Sequence, residues 1–340
     1  MTHPTMAPGG RPRVAVLDDW QGVADTSADW TALRAQADVT VFDRAFASPD
    51  DAVRALADVD ILIAMRERTH FPRTLIERLT RLRMIALTGA RSWTLDTDAC
   101  TERGIVVSHT GTEGAGAATA EVALGLMLAA ARALPAADAA MRAGVFQRGI
   151  PPGPVLEGRT LGVLGLGKIG ARMARYGQAL GMRVIAWSQN LTAERAEAAG
   201  ATLVDKSTLL ADSDVLSLHV VLSDRTRGIV SADDLARMKA GAILVNTSRG
   251  PLVDEAALLS ALRRGHIAAG LDVYWQEPLP PDHPLLSLPN VVLSPHLGYC
   301  TREIYAQFYR ESIENVLAFL AGAPTRLLNP AVVAAQRTRS

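Results

Sequence analysis

The chain has 340 residues, of which 49% are hydrophobic and 21% charged, with Lys+Arg and Asp+Glu balanced at 35 each. That balance leaves no excess basic field for a phosphate backbone or an anionic bilayer, so neither nucleic acid nor a membrane surface is an expected partner. The length exceeds one comfortable core and predicts two domains, and the only cysteines, Cys100 and Cys300, form no metal-type or redox pair, which fits a reducing cytoplasm.

Met1 to Gly10 is rich in Pro, Gly and Thr without the charged start and apolar run of a signal peptide, and is expected to be a frayed tail. From Arg13 short β-branched runs alternate with helical patterns: Val14 to Leu17, Asp60 to Ala64, Met84 to Thr88 and Ile105 to Ser108. This is the rhythm of a parallel sheet with crossover helices. The apolar stretch around Ala115 to Ala133 is rich in Ala and Gly and broken by Glu121 and Arg132, so it is expected as a packed helix rather than a membrane span.

Ile150 to Pro154, a Pro-rich turn cluster, marks a joint, because proline lacks the amide donor and restricts its predecessor. The alternation then starts again with Thr160 to Gly165, Arg183 to Trp187, Ala201 to Val204, Asp214 to Val220, Ala242 to Asn246, Ile267 to Val273 and Val291 to Ser294. After Pro295 the pattern is helical through Ile304 to Leu320 and then a polar tail; with no sheet of its own, this helix is expected to return to the first domain.

The strongest local signal is GLGKIG, comprising Gly165, Gly167, Lys168, Ile169 and Gly170, which directly follows an apolar strand and opens a helix. In that setting the glycines permit a tight turn, close approach of a pyrophosphate and close helix packing, while the helix N-terminus favours the anion. Where such sites place an acid to accept from the ribose hydroxyls, this chain has Trp187, Ser188, Gln189 and Asn190. No carboxylate stands there to repel a 2′-phosphate, and Arg195 is expected in the next helix rather than in place to bind one, so both NAD and NADP are compatible.

Three segments sit at or beyond strand ends on the edge where open α/β sheets bind ligands: VNTSRG with Arg249, DVYWQEP with Glu277 and SPHLG with His296. Each alone has a bland explanation as a cap, a surface acid or a structural histidine. Together they supply what carbonyl reduction needs. Histidine titrates near neutrality and can give a proton to the developing alkoxide, a neighbouring carboxylate favours its charged form, and guanidinium offers paired donors to a carboxylate.

From Arg13 to Pro330 the chain resembles the D-isomer-specific 2-hydroxyacid dehydrogenases, through GRTLGVLGLGKIG, MKAGAILVNTSRGPLVDEAALLSALRRGHIAAGLDV and EPLPPDHPLLSLPNVVLSPHLG. The resemblance implies an Arg249, Glu277 and His296 catalytic set, with Arg249 orienting the keto acid, His296 exchanging the proton and Glu277 tuning it. It also implies cofactor contacts at His219 to Val221, Thr226, Thr247, Ser248, Arg249, Asp272, His296 and Gly298. For the substrate carboxylate it implies Arg66, in MRERT, and the backbone after the fourth strand at Gly89 and Ala90.

The implied fold is α/β with two doubly wound parallel-sheet domains. A discontinuous flavodoxin-like substrate domain would span residues 11–111 and 298–335, and a Rossmann-type cofactor domain residues 112–297, with a homodimer built on the apolar helix. The chain departs from the family in TGARSWTLD, Thr88 to Asp96, where Arg91 and Trp93 replace a glycine and an acid, in the missing acid after the second strand, and at Val221, a position that is often proline. Formate dehydrogenases resemble it around the cofactor but carry glutamine in place of Glu277. A short phosphoglycerate dehydrogenase and a dinucleotide-sensing, corepressor-like binding protein of the same fold are the alternatives that share its motifs.

Overall fold

The computed structural model describes residues 10–337. The expected N-terminal tail therefore lies outside the described residues, apart from Gly10, as do the last three residues of the polar C-terminal tail. The chain divides into two units, one running to Glu113 and resuming at Thr301, the other Gly114–Cys300.

The first unit is built on five parallel strands, β1 (Arg13–Val16), β2 (Asp38–Val41), β3 (Ile61–Ala64), β4 (Met84–Leu87) and β5 (Val106–His109), in the order β2-β1-β3-β4-β5. This is the flavodoxin-like order. Strands covered on both faces read as unbroken apolar runs, and every residue of β3 and β4 is buried. Sequence reading missed β2. Its DVTV alternates exposed with half-buried positions because it is an edge strand with little to bury. The Arg302–Leu320 helix packs on the Ala24–Ser27 and Thr31–Gln36 helices and on β4 and β5, burying Ile304, Tyr305, Phe308, Tyr309, Ile313 and Val316.

The second unit carries seven parallel strands: β6 (Thr160–Leu164), β7 (Arg183–Trp187), β8 (Thr202–Leu203), β9 (Val215–Leu218), β10 (Ala242–Asn246), β11 (Ile267–Leu271) and β12 (Val291–Leu293). Their order is β12-β11-β10-β9-β6-β7-β8, so the winding reverses between β6 and β9. That reversal is the topological switch point, where ligands bind at the carboxyl ends of the strands. Two expected strands end early: the chain leaves the sheet at Leu218 and Leu271, which releases His219 to Val221 and Asp272 into that edge.

The Ala115–Arg132 helix is long and apolar enough, by length and composition, to cross a membrane. It behaves as a core helix: Ala118, Ala120, Ala123, Leu126, Met127 and Ala131 are buried and pack on β10, β11 and the Lys168–Ala179 helix. Gly270 in β11 permits this approach, since a Cβ there would come within 2.8 Å of the Leu126 Cβ.

Candidate active site

The site builds up from the loop after β6. Gly165 has φ +100, a region that side chains rarely adopt, and a Cβ there would meet the His219 carbonyl oxygen at 2.8 Å. A Cβ on Gly170 would lie 2.1 Å from the Gly165 carbonyl oxygen, so the helix packs on its own entry loop only with hydrogen at this position. Gly167 differs from both. Nothing lies within 4 Å of its added Cβ, and the backbone faces open space ahead of the 12-residue Lys168–Ala179 helix. Tight turn, open approach and close packing are thus divided among three glycines, the arrangement a pyrophosphate at a helix N-terminus requires. Lys168 is exposed at the first helical residue and Ile169 half-buried.

Around this loop the other expected cofactor residues fall on neighbouring strand ends. Gly165 N donates to the Trp187 carbonyl at 2.9 Å, which ties the loop to the end of β7, where Ser188, Gln189 and Asn190 follow. After β9, the His219 imidazole shares a 2.8 Å hydrogen bond with Ser217 Oγ, and burial pushes its pKa down to about 4, so it is neutral. Val221 is 68% exposed, and Thr226 Oγ1 donates to its carbonyl at 2.7 Å, closing that loop. After β10, Ser248 Oγ donates to the Val220 carbonyl at 2.6 Å, and the buried Thr247 Oγ1 has no partner among the described residues. A buried hydroxyl left open on the ligand edge of the sheet is available to a bound molecule or water. The residues present fit a nicotinamide dinucleotide.

The catalytic candidates converge on the ends of β10, β11 and β12. His296 Nδ1 lies 2.5 Å from Glu277 Oε2, and Glu277 Oε1 accepts from the Tyr274 amide at 2.9 Å. Burial pushes the Glu277 carboxyl up, but the hydrogen bond and charge of His296, the Tyr274 amide and the Arg249 charge outweigh it and hold the group below its ordinary value. Arg249 is fixed through its backbone, whose carbonyl accepts from Asn246 Nδ2 at 2.8 Å. His296 itself has φ +56, an uncommon conformation for a residue with a side chain.

Asp272 holds the His296 segment in place. Its Oδ1 accepts from Ser294 Oγ at 2.5 Å and Leu297 N at 2.7 Å, and its Oδ2 from Gly298 N at 2.8 Å. Burial raises its pKa despite those donors. The resemblance implied a cofactor contact here, whereas the structure adds three internal bonds that brace the loop carrying the histidine. Gly298 is confined between Asp272 and Thr119.

The first unit brings Arg66, Gly89 and Ala90 together at the ends of the neighbouring strands β3 and β4. Arg66 N donates toward Thr88 Oγ1 at 3.1 Å, and its side chain covers Gly89 so closely that a Cβ there would lie 2.8 Å from Arg66 Cδ and Nη1. Ala90 is exposed. Two side-chain contacts were not foreseen from the sequence. Arg195 reaches back from its helix to within 3.5 Å of the Asn190 carbonyl. Tyr274 donates its hydroxyl to the Ser294 carbonyl at 2.9 Å, linking the β11 and β12 ends, and its place two residues after Asp272 in DVYWQEP was the available signal.

Residues 124–298 match the family described as D-isomer specific 2-hydroxyacid dehydrogenase, NAD binding domain. The chain is 42% identical over 271 residues to the glyoxylate reductase of Aeropyrum pernix, covering 76% of this chain and 80% of that protein. It is 39% identical over 280 residues to the D-3-phosphoglycerate dehydrogenase of Archaeoglobus fulgidus, covering 82% of this chain but only 53% of that protein, so it spans about half the length of that relative. The crystal structure of a phosphoglycerate oxidoreductase from Vibrio cholerae o395 superposes with a TM-score of 0.87 at 38% identity, covering 92% of this chain and 100% of that one. On the family match, the identities and the shared fold, this chain belongs to the D-isomer specific 2-hydroxyacid dehydrogenase family.

Proposed function

We propose that the protein is a nicotinamide-dependent oxidoreductase acting on C2 of a small D-2-hydroxy acid or its 2-keto counterpart. The observation that carries this is the 2.5 Å pair of His296 Nδ1 and Glu277 Oε2 at the carboxyl edge of a sheet that also carries the glycine loop. The bound dinucleotide would supply or accept the hydride. Glu277 is held ionised and can only accept, so the hydrogen between the pair belongs to Nδ1, and Nε2 is the atom left to exchange a proton with the substrate oxygen. In reduction Nε2 donates to the oxygen as charge develops there; in oxidation it accepts the hydroxyl proton.

Arg249 orients the substrate through its planar fork of donors and polarises the carbonyl. Arg66, with the backbone at Gly89 and Ala90, is assigned to the substrate carboxylate. On this reading Gly114–Cys300 is the cofactor domain and the first unit the substrate domain. NAD is the cofactor that the family description supports. The names of the relatives support two substrate classes, a small keto acid such as glyoxylate and a phosphorylated hydroxy acid.

A cytoplasmic homodimer completes the proposal. Its support is the run of exposed apolar side chains that follows the core helix: Leu134 at 52%, Met141 at 56%, Phe146 at 74% and Val155 at 70% exposure. Light scattering on the purified chain tests the dimer, and a monomer at micromolar concentration would remove it.

The activity is tested by loss of reduced-nicotinamide absorbance against a panel of 2-keto acids. His296→Ala should lower kcat by about 10²–10⁴-fold while leaving dinucleotide affinity nearly intact, because the proton donor acts on the substrate. Lost dinucleotide binding with unchanged turnover would contradict the assignment.

A further inference from the structure

Resting on the substrate reading above, we propose that Asp18 and Arg68 are positioning residues for Arg66: together they clamp the segment after β3 to the end of β1 and so set the affinity for the substrate carboxylate.

In the first unit the winding reverses between the neighbouring strands β1 and β3, so their carboxyl ends border its topological switch point. Leu17 N donates to the Ile63 carbonyl at 2.9 Å, and the two chains leave the sheet side by side. The chain leaving β1 places Asp18 in the left-handed region, φ +62, with 1% of the residue exposed. A carboxylate buried without partners is costly. The acceptors of Asp18 meet the chain that leaves β3. Its Oδ2 accepts from Thr69 Oγ1 at 2.8 Å and from Thr69 N at 3.2 Å, and its carbonyl accepts from Arg68 Nη1.

The Arg68 guanidinium is fixed on two further sides. Its Cζ lies 4.5 Å from the Trp20 ring centroid, and Nη2 donates to the Tyr305 hydroxyl at 3.3 Å, which in turn donates to Gln21 Oε1. A planar cation held by a carbonyl, a ring face and a phenol is confined to one orientation.

Between these anchors and Arg66 lies a single residue, Glu67, which is also left-handed at φ +61. For a residue with a Cβ this conformation persists only where the surroundings impose it. The bend brings Glu67 Oε1 to 3.6 Å from Arg66 Nη2, with the Glu67 side chain 9% exposed. On the opposite side Arg66 N donates to Thr88 Oγ1, beyond β4, at 3.1 Å. Arg66 is thus directed from both neighbouring strands, through Thr88 and through Asp18. Without the β1 anchor Glu67 can relax to negative φ, and the Arg66 guanidinium loses its fixed direction.

The test is steady-state reduction of the best substrate from the 2-keto acid panel, together with titration by NADH alone. Asp18→Gly suits it, because glycine adopts φ +62 freely and the clamp is removed without added backbone strain. KM for the keto acid should rise about tenfold, with kcat within about threefold and the NADH dissociation constant within about twofold. Asp18→Asn keeps an acceptor for Thr69 in a residue that tolerates the left-handed region, and should recover most of the loss. Arg68→Met removes the other anchor and should give the same split, so it carries the test should Asp18→Gly fail to fold.

The decisive comparison is made in an Arg66→Ala background, a change that by itself should raise KM about thirtyfold. There Asp18→Gly or Arg68→Met should alter KM by less than about twofold, since a residue that acts through Arg66 has nothing left to position. An undiminished effect in that background, or a loss of kcat and dinucleotide affinity as large as the loss in KM, overturns the proposal and leaves Asp18 a brace of the fold. An Arg66→Ala variant with unchanged KM removes Arg66 from the substrate site and this proposal with it, while the histidine and dinucleotide assignments stand. Failure of wild type to reduce any acid in the panel overturns the oxidoreductase reading itself.

Discussion

Glu277 has two oxygens and uses both, one on His296 and one on the Tyr274 amide, while Arg249 adds its charge from the end of the neighbouring strand. The carboxylate is therefore a fixed reference against which the imidazole is oriented, and its charge and its geometry can be separated by mutation. Glu277→Gln keeps the shape and removes the charge, so kcat should fall by about 10- to 100-fold with KM for the dinucleotide unchanged. Unchanged kcat would show that orientation alone suffices. Arg249→Lys tests the fork: a point charge cannot reproduce two parallel donors, and kcat/KM for the keto acid should fall by at least about a hundredfold, as steady-state kinetics would show.

These three residues were legible in the sequence because each lies in a short motif next to an apolar strand. The contact of the Arg195 side chain with the Asn190 carbonyl was not legible, because neither periodicity nor spacing reports the direction of a side chain.

Helices and strands set these groups in place through backbone rather than side chains. The glycine loop makes this testable, since its members differ in the space around them. Gly170→Ala would place a Cβ 2.1 Å from the Gly165 carbonyl oxygen, so it must part helix from loop and lower Tm as well as dinucleotide affinity. Gly167→Ala meets nothing within 4 Å, so Tm should hold while affinity for the dinucleotide falls by tenfold or more, because the added methyl fills the approach to the pyrophosphate. Calorimetry paired with a binding titration separates the two, and a matching loss of Tm in both variants would refute the division of roles.

At this scale the sequence predicted the strand order's consequences better than the strand boundaries. Asp214 to Val220 and Ile267 to Val273 read as continuous strands, yet both leave the sheet early, at Leu218 and Leu271, and Asp272 just beyond the second bonds across to Ser294 after β12.

The molecule as a whole carries consequences for stability. His219 is held neutral by burial, with its pKa down at about 4 against an ordinary 6.5. Between those values the unfolded chain takes up a proton that the folded chain refuses, so stability is fully present above pH 6.5 and declines as the pH falls towards 4. Denaturant unfolding across that window should show a slope shallower by about one proton in His219→Gln, and identical slopes would remove His219 as the cause. The Arg302–Leu320 helix is the other whole-molecule feature, because it completes the first unit from the far end of the chain. A chain ending at Cys300 should lose the thermal transition of that unit, with Phe308 and Tyr309 gone from its core, while Gly114–Cys300 keeps its own.

The sequence by itself determined the α/β class, the repeated strand rhythm, the glycine loop and the positions of the proposed Arg249, Glu277 and His296 set, because these are local: apolar runs of strand length, turn residues at fixed offsets, and polar side chains adjacent to strand ends. Only the tertiary structure decided the rest. It supplied the edge strand β2, which buries too little to leave a pattern, and it showed Asp272 bracing the histidine segment through three donors drawn from up to 26 residues away. It also returned Arg195 to the β7 turn. Each of these rests on contacts between segments, whose energy depends on the packed geometry rather than on the order of residues along the chain.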